Sequence, residues 1–191
     1  MKRSVGLFFG SFNPIHVGHL IIANLVRTEG LVDEVWFVVS PQNPHKKRSN
    51  LLPEQDRLDL VRESIKDEYH FRASDIEFGM PRPSYTIHTL VYLEEKYPDF
   101  DFRLIIGEDN LNSLPRWRNF QEILHRGLIV YPRPNCETSQ FSAHKNVSWV
   151  TAPKMDISAT LIRKLIREGK SIKYLVPEAV AELIDGRGYY K

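Results

Sequence analysis

The stretch FFGSFNPIHVGHLIIANL, residues 8–25, decides how the chain is read. A short apolar run ends at Gly10, a proline-containing turn follows, and apolar residues then return at helical spacing. Leu20, Ile22, Ala23 and Val26 share one side of a helix that stops at Gly30, a residue type suited to the position past a helix end. Pro14 lacks an N–H and stiffens the turn ahead of that helix. Gly10 removes a side chain where backbone must turn or meet a ligand closely. The stretch therefore predicts a strand, a tight connection and a helix.

The same alternation continues outward. Residues 4–9 and 34–39 are short aromatic and β-branched runs, as buried parallel strands are. Pro53 opens a helix with Leu58, Val61 and Ile65 on one stripe. A strand over 71–78, a helix over 86–97 and a strongly apolar strand over 101–109 come next. A short helical piece and the helical run NFQEILHRG (119–127) lead to strands over 127–132 and 147–151, joined by a loop over 132–146 that carries the weakest pattern. Helices over 158–169, with Ser158 as N-cap and Gly169 past the end, and over 177–185 close the chain. Strand then helix, repeated, predicts an α/β fold: a Rossmann-like, doubly wound, mainly parallel sheet with helices on both faces. A single domain over 1–191 is expected, its C-terminal helical part from about 152 packing on the same core.

Composition narrows the function classes. Apolar residues make up 42% and charged residues 26% of the 191, as in ordinary soluble domains. A net charge of +2 gives no field that marks a nucleic-acid or membrane binder, so neither partner is expected. The lone Cys136 excludes an internal disulfide and a cysteine-built zinc cage. No apolar run approaches the roughly 20 residues that span a bilayer. The N-terminal apolar run stops at Gly10, short of a signal-peptide core, so a buried strand and a cytoplasmic place are expected.

In open α/β sheets ligands bind at the carboxyl ends of the strands, which puts GSFNPIHVGH (10–19) where a ligand belongs. His16 and His19, three apart, share one face of the helix start, and Gly18 between them leaves room for a flat ring or a phosphate. Helix N-termini attract anions, and two imidazoles there suit an anion that gains charge during reaction. A single histidine in this place reads most simply as a structural imidazole on a capped helix. The pair in register with Gly10, Pro14 and Gly18 reverses that preference. A zinc site is the weaker rival, because no third ligand stands nearby in sequence.

GSFNPIHVGH resembles the first signature of the HxGH nucleotidyltransferase superfamily, G-x-F-D/N-P-x-H-x-G-H. ISATLIR (157–163) resembles the second, I-S-S/T-T-x-I-R, with Ala159 in place of the hydroxyl residue. Further stretches resemble the bacterial nicotinate mononucleotide adenylyltransferases: SPQNPHK (40–46), PSYTIHTL (83–90), IIGEDNLNSLPRWRNFQEIL (105–124) and YLVPEAVAELI (174–184). Phe9 stands where that family often has glycine. Phosphopantetheine adenylyltransferases share a similar start but typically carry threonine at the His16 position and lack the tryptophan segment. Cytidylyl transfer, or a nucleotide-binding module without turnover, are the other readings.

The resemblance implies transfer of AMP from ATP to nicotinate mononucleotide, with Mg²⁺ accompanying ATP. It implies catalytic roles for His16, His19, Lys46 and Arg163. Gly10, Ser11, Phe12, Gly18, Gly107, Asp109, Ile157, Ser158 and Thr160 are expected around ATP. Asn13, Tyr85, Thr86 and Trp117 are expected around the acceptor, with the indole stacked on a cationic pyridine ring. No protein-held metal is expected, and the oligomeric state, homo-oligomers included, stays open. A helix start near Thr86 offers free N–H groups and a positive dipole end, which favours nicotinate over the neutral amide by roughly 1–2 kcal/mol.

Overall fold

The computed structural model describes residues 2–41 and 51–191; the expected catalytic Lys46 lies outside the described residues. Strands and helices alternate as β1 (Arg3–Gly10), α1 (Val17–Thr28), β2 (Glu34–Val39), α2 (Glu54–Ile65), β3 (Phe71–Ser74), α3 (Thr86–Lys96) and β4 (Phe100–Gly107). There follow α4 (Glu108–Ser113), a 3₁₀ turn (Leu114–Arg116), α5 (Phe120–Arg126), β5 (Leu128–Tyr131), β6 (Val147–Trp149), α6 (Ala159–Arg167) and α7 (Glu178–Gly186). Among the described residues the strands form one six-stranded sheet in the order β3-β2-β1-β4-β5-β6, with every neighbouring pair parallel. This is the doubly wound α/β architecture that the alternation predicts.

Period-two alternation along the central strands divides the core between the two faces. Phe8, Val35, Phe37, Val39, Ile105 and Ile129 point to one face, where α1, α2, α6 and α7 cover them. Val5, Leu7, Trp36, Val38, Leu104 and Val130 point to the other, beneath α3, α4 and α5. The C-terminal helices thus complete a cluster that the first helix begins, through Ile162, Val180 and Ile184 against residues such as Ile22 and Val26. Among the described residues no helix is long and apolar enough to cross a membrane.

Three strand ends differ from the sequence expectation, the strand expected over 147–151 stopping at Trp149. The strand expected over 71–78 stops at Ser74, and the chain then turns, with Phe78 N–H donating to Asp75 O at 2.8 Å. The turn carries Glu77 inward to 2% exposure, where Thr89 Oγ1 donates to its Oε1 at 2.7 Å. Burying that carboxyl under α3 takes the place of further pairing on an edge strand. The strand expected over 101–109 ends at Gly107, because α4 starts at once with Glu108.

The sheet has its switch point between β1 and β4. From β1 the chain winds outward to β2 and β3; from β4 it winds the other way to β5 and β6. Phe8 pairs with Phe37 on one side and Ile105 on the other, which sets Gly10 and Gly107 at adjacent carboxyl ends. Such a crevice is where open α/β sheets bind ligands.

Candidate active site

The turn after β1 is built around an aromatic ring. Phe12 adopts a φ of 43° and buries its ring edge-on against Phe8, Phe37 and His19. A Cβ on Gly10 would lie 2.8 Å from Phe12 Cζ. The space Gly10 leaves is therefore filled by Phe12, a protein ring in the place where a ligand approach was expected. Phe12 itself is only 2% exposed, so it supports the turn from within. The Asn13–Pro14 bond is cis.

His16 occupies the N-cap of α1 and His19 lies in its first turn. Their rings stack with centroids 3.7 Å apart, and the His16 backbone N–H donates to His19 Nδ1 at 3.3 Å. That bond places the proton of a neutral His19 on Nε2. Burial, aided by the nearby Arg133 guanidinium, pushes the His16 imidazole down to about 4, so it is neutral at physiological pH. Its Nδ1 is buried without a hydrogen-bond partner. A Cβ at position 18 would stand 3.1 Å from that nitrogen, so glycine is what fits beside the ring. His16, Gly18, His19 and Ile157 line one open cavity, together with Arg133 and Tyr131.

Helix α6 reaches the same turn from the far end of the chain. Ser158 caps it, accepting from Leu161 N–H at 3.2 Å. Arg163 Nη1 donates to Asn13 O at 2.7 Å and Nη2 to Thr160 Oγ1 at 3.3 Å, while its Nε is buried without a partner. The two sequence signatures, 150 residues apart at this contact, thus meet in one hydrogen bond.

On the β4 side, Asp109 pairs with Arg133 at 3.5 Å. A Cβ on Gly107 would overlap Asp109 Oδ1 and come within 3.2 Å of Arg133 Nε, so glycine at the strand end admits this pair. Arg133 also donates its backbone N–H to Glu108 Oε2 at 3.3 Å and holds its guanidinium 5.3 Å above the Tyr131 ring.

Tyr85, Thr86 and Trp117 do not line this cavity. Tyr85 is the exposed N-cap of α3 and Thr86 its first residue, with no side chain capping the helix start. Trp117 is half-buried against the second core face, and Arg118 beside it lies 5.1 Å over the Tyr85 ring. Of the residues expected around the acceptor, Tyr85 and Thr86 thus stand at the start of α3, with the segment of Trp117 reaching it through Arg118. Asn13 is 4% exposed; its Oδ1 accepts from Leu52 N–H at 3.2 Å and Tyr190 O–H at 2.8 Å.

Three contributors escape the sequence reading. Arg133 stands two residues past the end of β5, and the strand-end rule applied to that strand points to it. Arg57, fully buried, donates to the carbonyls of Leu52, Ser11, Ser40 and Pro41. It stands one turn before Val61 on the apolar stripe of α2, and a charge on that stripe is the available signal. Tyr190, at the end of the chain, gives none.

Comparisons with known proteins give the chain's family and its likeness of fold. Residues 7–165 match the cytidylyltransferase-like family. A Cytophaga hutchinsonii protein named "Probable nicotinate-nucleotide adenylyltransferase" is 57% identical over 187 residues, covering 97% of each chain. A Flavobacterium psychrophilum protein of the same name is 47% identical over 190 residues, covering 98% of each. Among solved structures, the Plasmodium falciparum nicotinic acid mononucleotide adenylyltransferase complexed with NaAD superposes with a TM-score of 0.84. It is 17% identical, over 98% of this chain and 97% of that one, a likeness of fold.

Proposed function

Because the chain belongs to the cytidylyltransferase-like family and, within it, to the nicotinate-nucleotide adenylyltransferases, we propose the following reading of its site. The protein transfers the AMP moiety of ATP to nicotinate mononucleotide, releasing pyrophosphate and forming deamido-NAD for NAD biosynthesis. The observation that carries it is the stacked His16–His19 pair at the switch point, with a buried ring nitrogen lacking a partner and two arginines close by.

A phosphate oxygen of the acceptor attacks the α-phosphorus of ATP. The new P–O bond forms as the bond to the bridging oxygen breaks, and pyrophosphate leaves with that electron pair. The acceptor phosphate is already ionised near neutral pH, its second pKa being about 6, so no protein nucleophile is needed. Catalysis is positioning and charge stabilisation. The imidazoles of His16, held neutral, and of His19 donate N–H groups to the phosphate chain, most strongly as charge builds. Arg163, with Lys46, holds the β- and γ-phosphates. The backbone around Gly10, Ser11 and Phe12, the wall at Gly18 and Ile157, and the α6 start at Ser158 and Thr160 shape the rest of the ATP site. Gly107 and Asp109 belong to the same site at the end of β4, where Asp109 orients Arg133.

Mg²⁺ supplies charge neutralisation on the triphosphate when bound. The side-chain nitrogen groups lining the cavity, two imidazoles and one guanidinium, are N–H donors that suit phosphate oxygens better than a hard cation. Mg²⁺ would accordingly be held by the triphosphate rather than by these side chains. Tyr85, Thr86 and Trp117, with Asn13, receive the acceptor, whose carboxylate meets the uncapped N–H groups of α3. The chain works as one domain in the cytoplasm.

Pyrophosphate release from ATP and Mg²⁺ tests this, with nicotinate mononucleotide, nicotinamide mononucleotide and phosphopantetheine supplied separately. Strong release with nicotinate mononucleotide alone is expected. Release with phosphopantetheine overturns the acceptor, comparable efficiency with both mononucleotides overturns the acid preference, and silence with all three overturns adenylyl transfer.

A further inference from the structure

The turn that presents the two histidines is held from outside by donors far apart in sequence. Arg57 Nη1 donates to Ser11 O at 2.5 Å, Arg163 Nη1 to Asn13 O, and Tyr190 O–H to Asn13 Oδ1. Asn13 is where these restraints converge. Its amide oxygen also accepts from Leu52 N–H, so one buried carboxamide ties the β1–α1 turn to the approach of α2 and to the last residues of the chain.

The tail that carries Tyr190 is itself anchored. Tyr189 O–H donates to Asp56 Oδ1 at 2.7 Å, and Arg187 pairs with Asp59 at 3.2 Å, both on α2. Tyr189 and Tyr190 pack against the core face that α1 and α2 cover. Burial raises the Tyr190 hydroxyl well above its ordinary value, so it stays protonated and remains a donor across the working range. An anchored donor aimed at a buried acceptor fixes position. Asn13 lies three residues before His16, and its carbonyl carries Arg163 as well. A shift of Asn13 therefore moves an imidazole and a guanidinium together.

We propose that Tyr190 is a positioning residue for adenylyl transfer, its hydroxyl holding Asn13 so that the turn presents His16 and Arg163 to the triphosphate in register. This rests on the nucleotidyltransferase reading above. Small misplacements of groups that act in a transition state cost rate more than ground-state binding, which gives the prediction its form.

The test is Tyr190→Phe, which keeps the ring and removes the donor, compared with Asn13→Ala and the double variant. Steady-state kinetics with nicotinate mononucleotide and a thermal melt are recorded for each. Tyr190→Phe is expected to lower kcat about tenfold, with KM for ATP within about threefold and the melting midpoint nearly unchanged. Adding Tyr190→Phe to Asn13→Ala is expected to change kcat no further, because the hydroxyl acts through that amide. Unchanged kcat in Tyr190→Phe overturns the proposal. So does a loss that follows the melting midpoint, or a full additional loss in the double variant. A wild-type chain that releases no pyrophosphate sinks both readings; an active wild type whose kcat is left unchanged by Tyr190→Phe sinks this one alone.

Discussion

Burial and the Arg133 charge hold His16 at about 4, against an ordinary value near 6.5, and this has a thermodynamic side as well as a catalytic one. Between those two values the unfolded chain binds a proton that the folded chain refuses. Stability therefore rises with pH across that window, is fully present above about 6.5, and is lost as pH falls toward 4. The separation corresponds to about 3 kcal/mol, a sizeable share of a typical domain's stability. His16→Gln keeps a neutral polar side chain without the titration. Its melting midpoint is expected to fall less than that of the wild type between pH 7 and pH 4.5. Parallel declines would mean that other groups carry the acid sensitivity. In the proposed reaction the same neutrality at pH 7 would offer the triphosphate an N–H donor without requiring a buried cation in the free protein.

Helix α1 shows a conflict between element and site at Gly18. Glycine in a helix is less favourable than alanine by roughly 0.5–1 kcal/mol, so the helix alone would prefer Ala. An added Cβ, however, would press on His16 at 3.1 and 3.2 Å, and stacking on His19 leaves the ring little freedom to yield. Gly18→Ala is expected to leave the melting midpoint within a few degrees and to cut kcat/KM about tenfold. Unimpaired turnover would show that the ring can give way. The pair of histidines, the glycine between them and the Ser158 cap were all legible in sequence, because each leaves a local signature of spacing or residue type. Features fixed by distant partners were not. Arg133 matters through Asp109 and the His16 cavity, and Glu77 ends β3 early through Thr89 twelve residues on. At Gly10 the sequence shows a place where backbone turns or a ligand comes close, but the group that fills the space beside it, Phe12, is identified only in three dimensions.

Across the whole molecule, strand–helix alternation fixed the class of fold, whereas strand order depends on pairings such as Phe8 with Ile105 that leave no local trace. That order decides which helices share a face. It places α6 and α7 on the face already occupied by α1 and α2, so the cluster around Phe8 and Phe37 closes only when Ile162, Val176, Val180 and Ile184 are in place. Buried Arg57 adds a polar tie by joining the ends of β1 and β2 to the approach of α2. A molecule connected in this way should unfold as one unit. Trp36, 1% exposed on the opposite face, reports that face by fluorescence, while far-UV dichroism reports helices on both. The two thermal transitions are expected to coincide. Ending the chain at residue 151 is expected to abolish the folded transition rather than lower it by a few degrees, because Ile22, Val26, Leu58 and Val61 lose their cover. A fluorescence transition that survives the truncation, or two separate transitions in the full chain, would instead make residues 152–191 an independent layer on a core that folds without it.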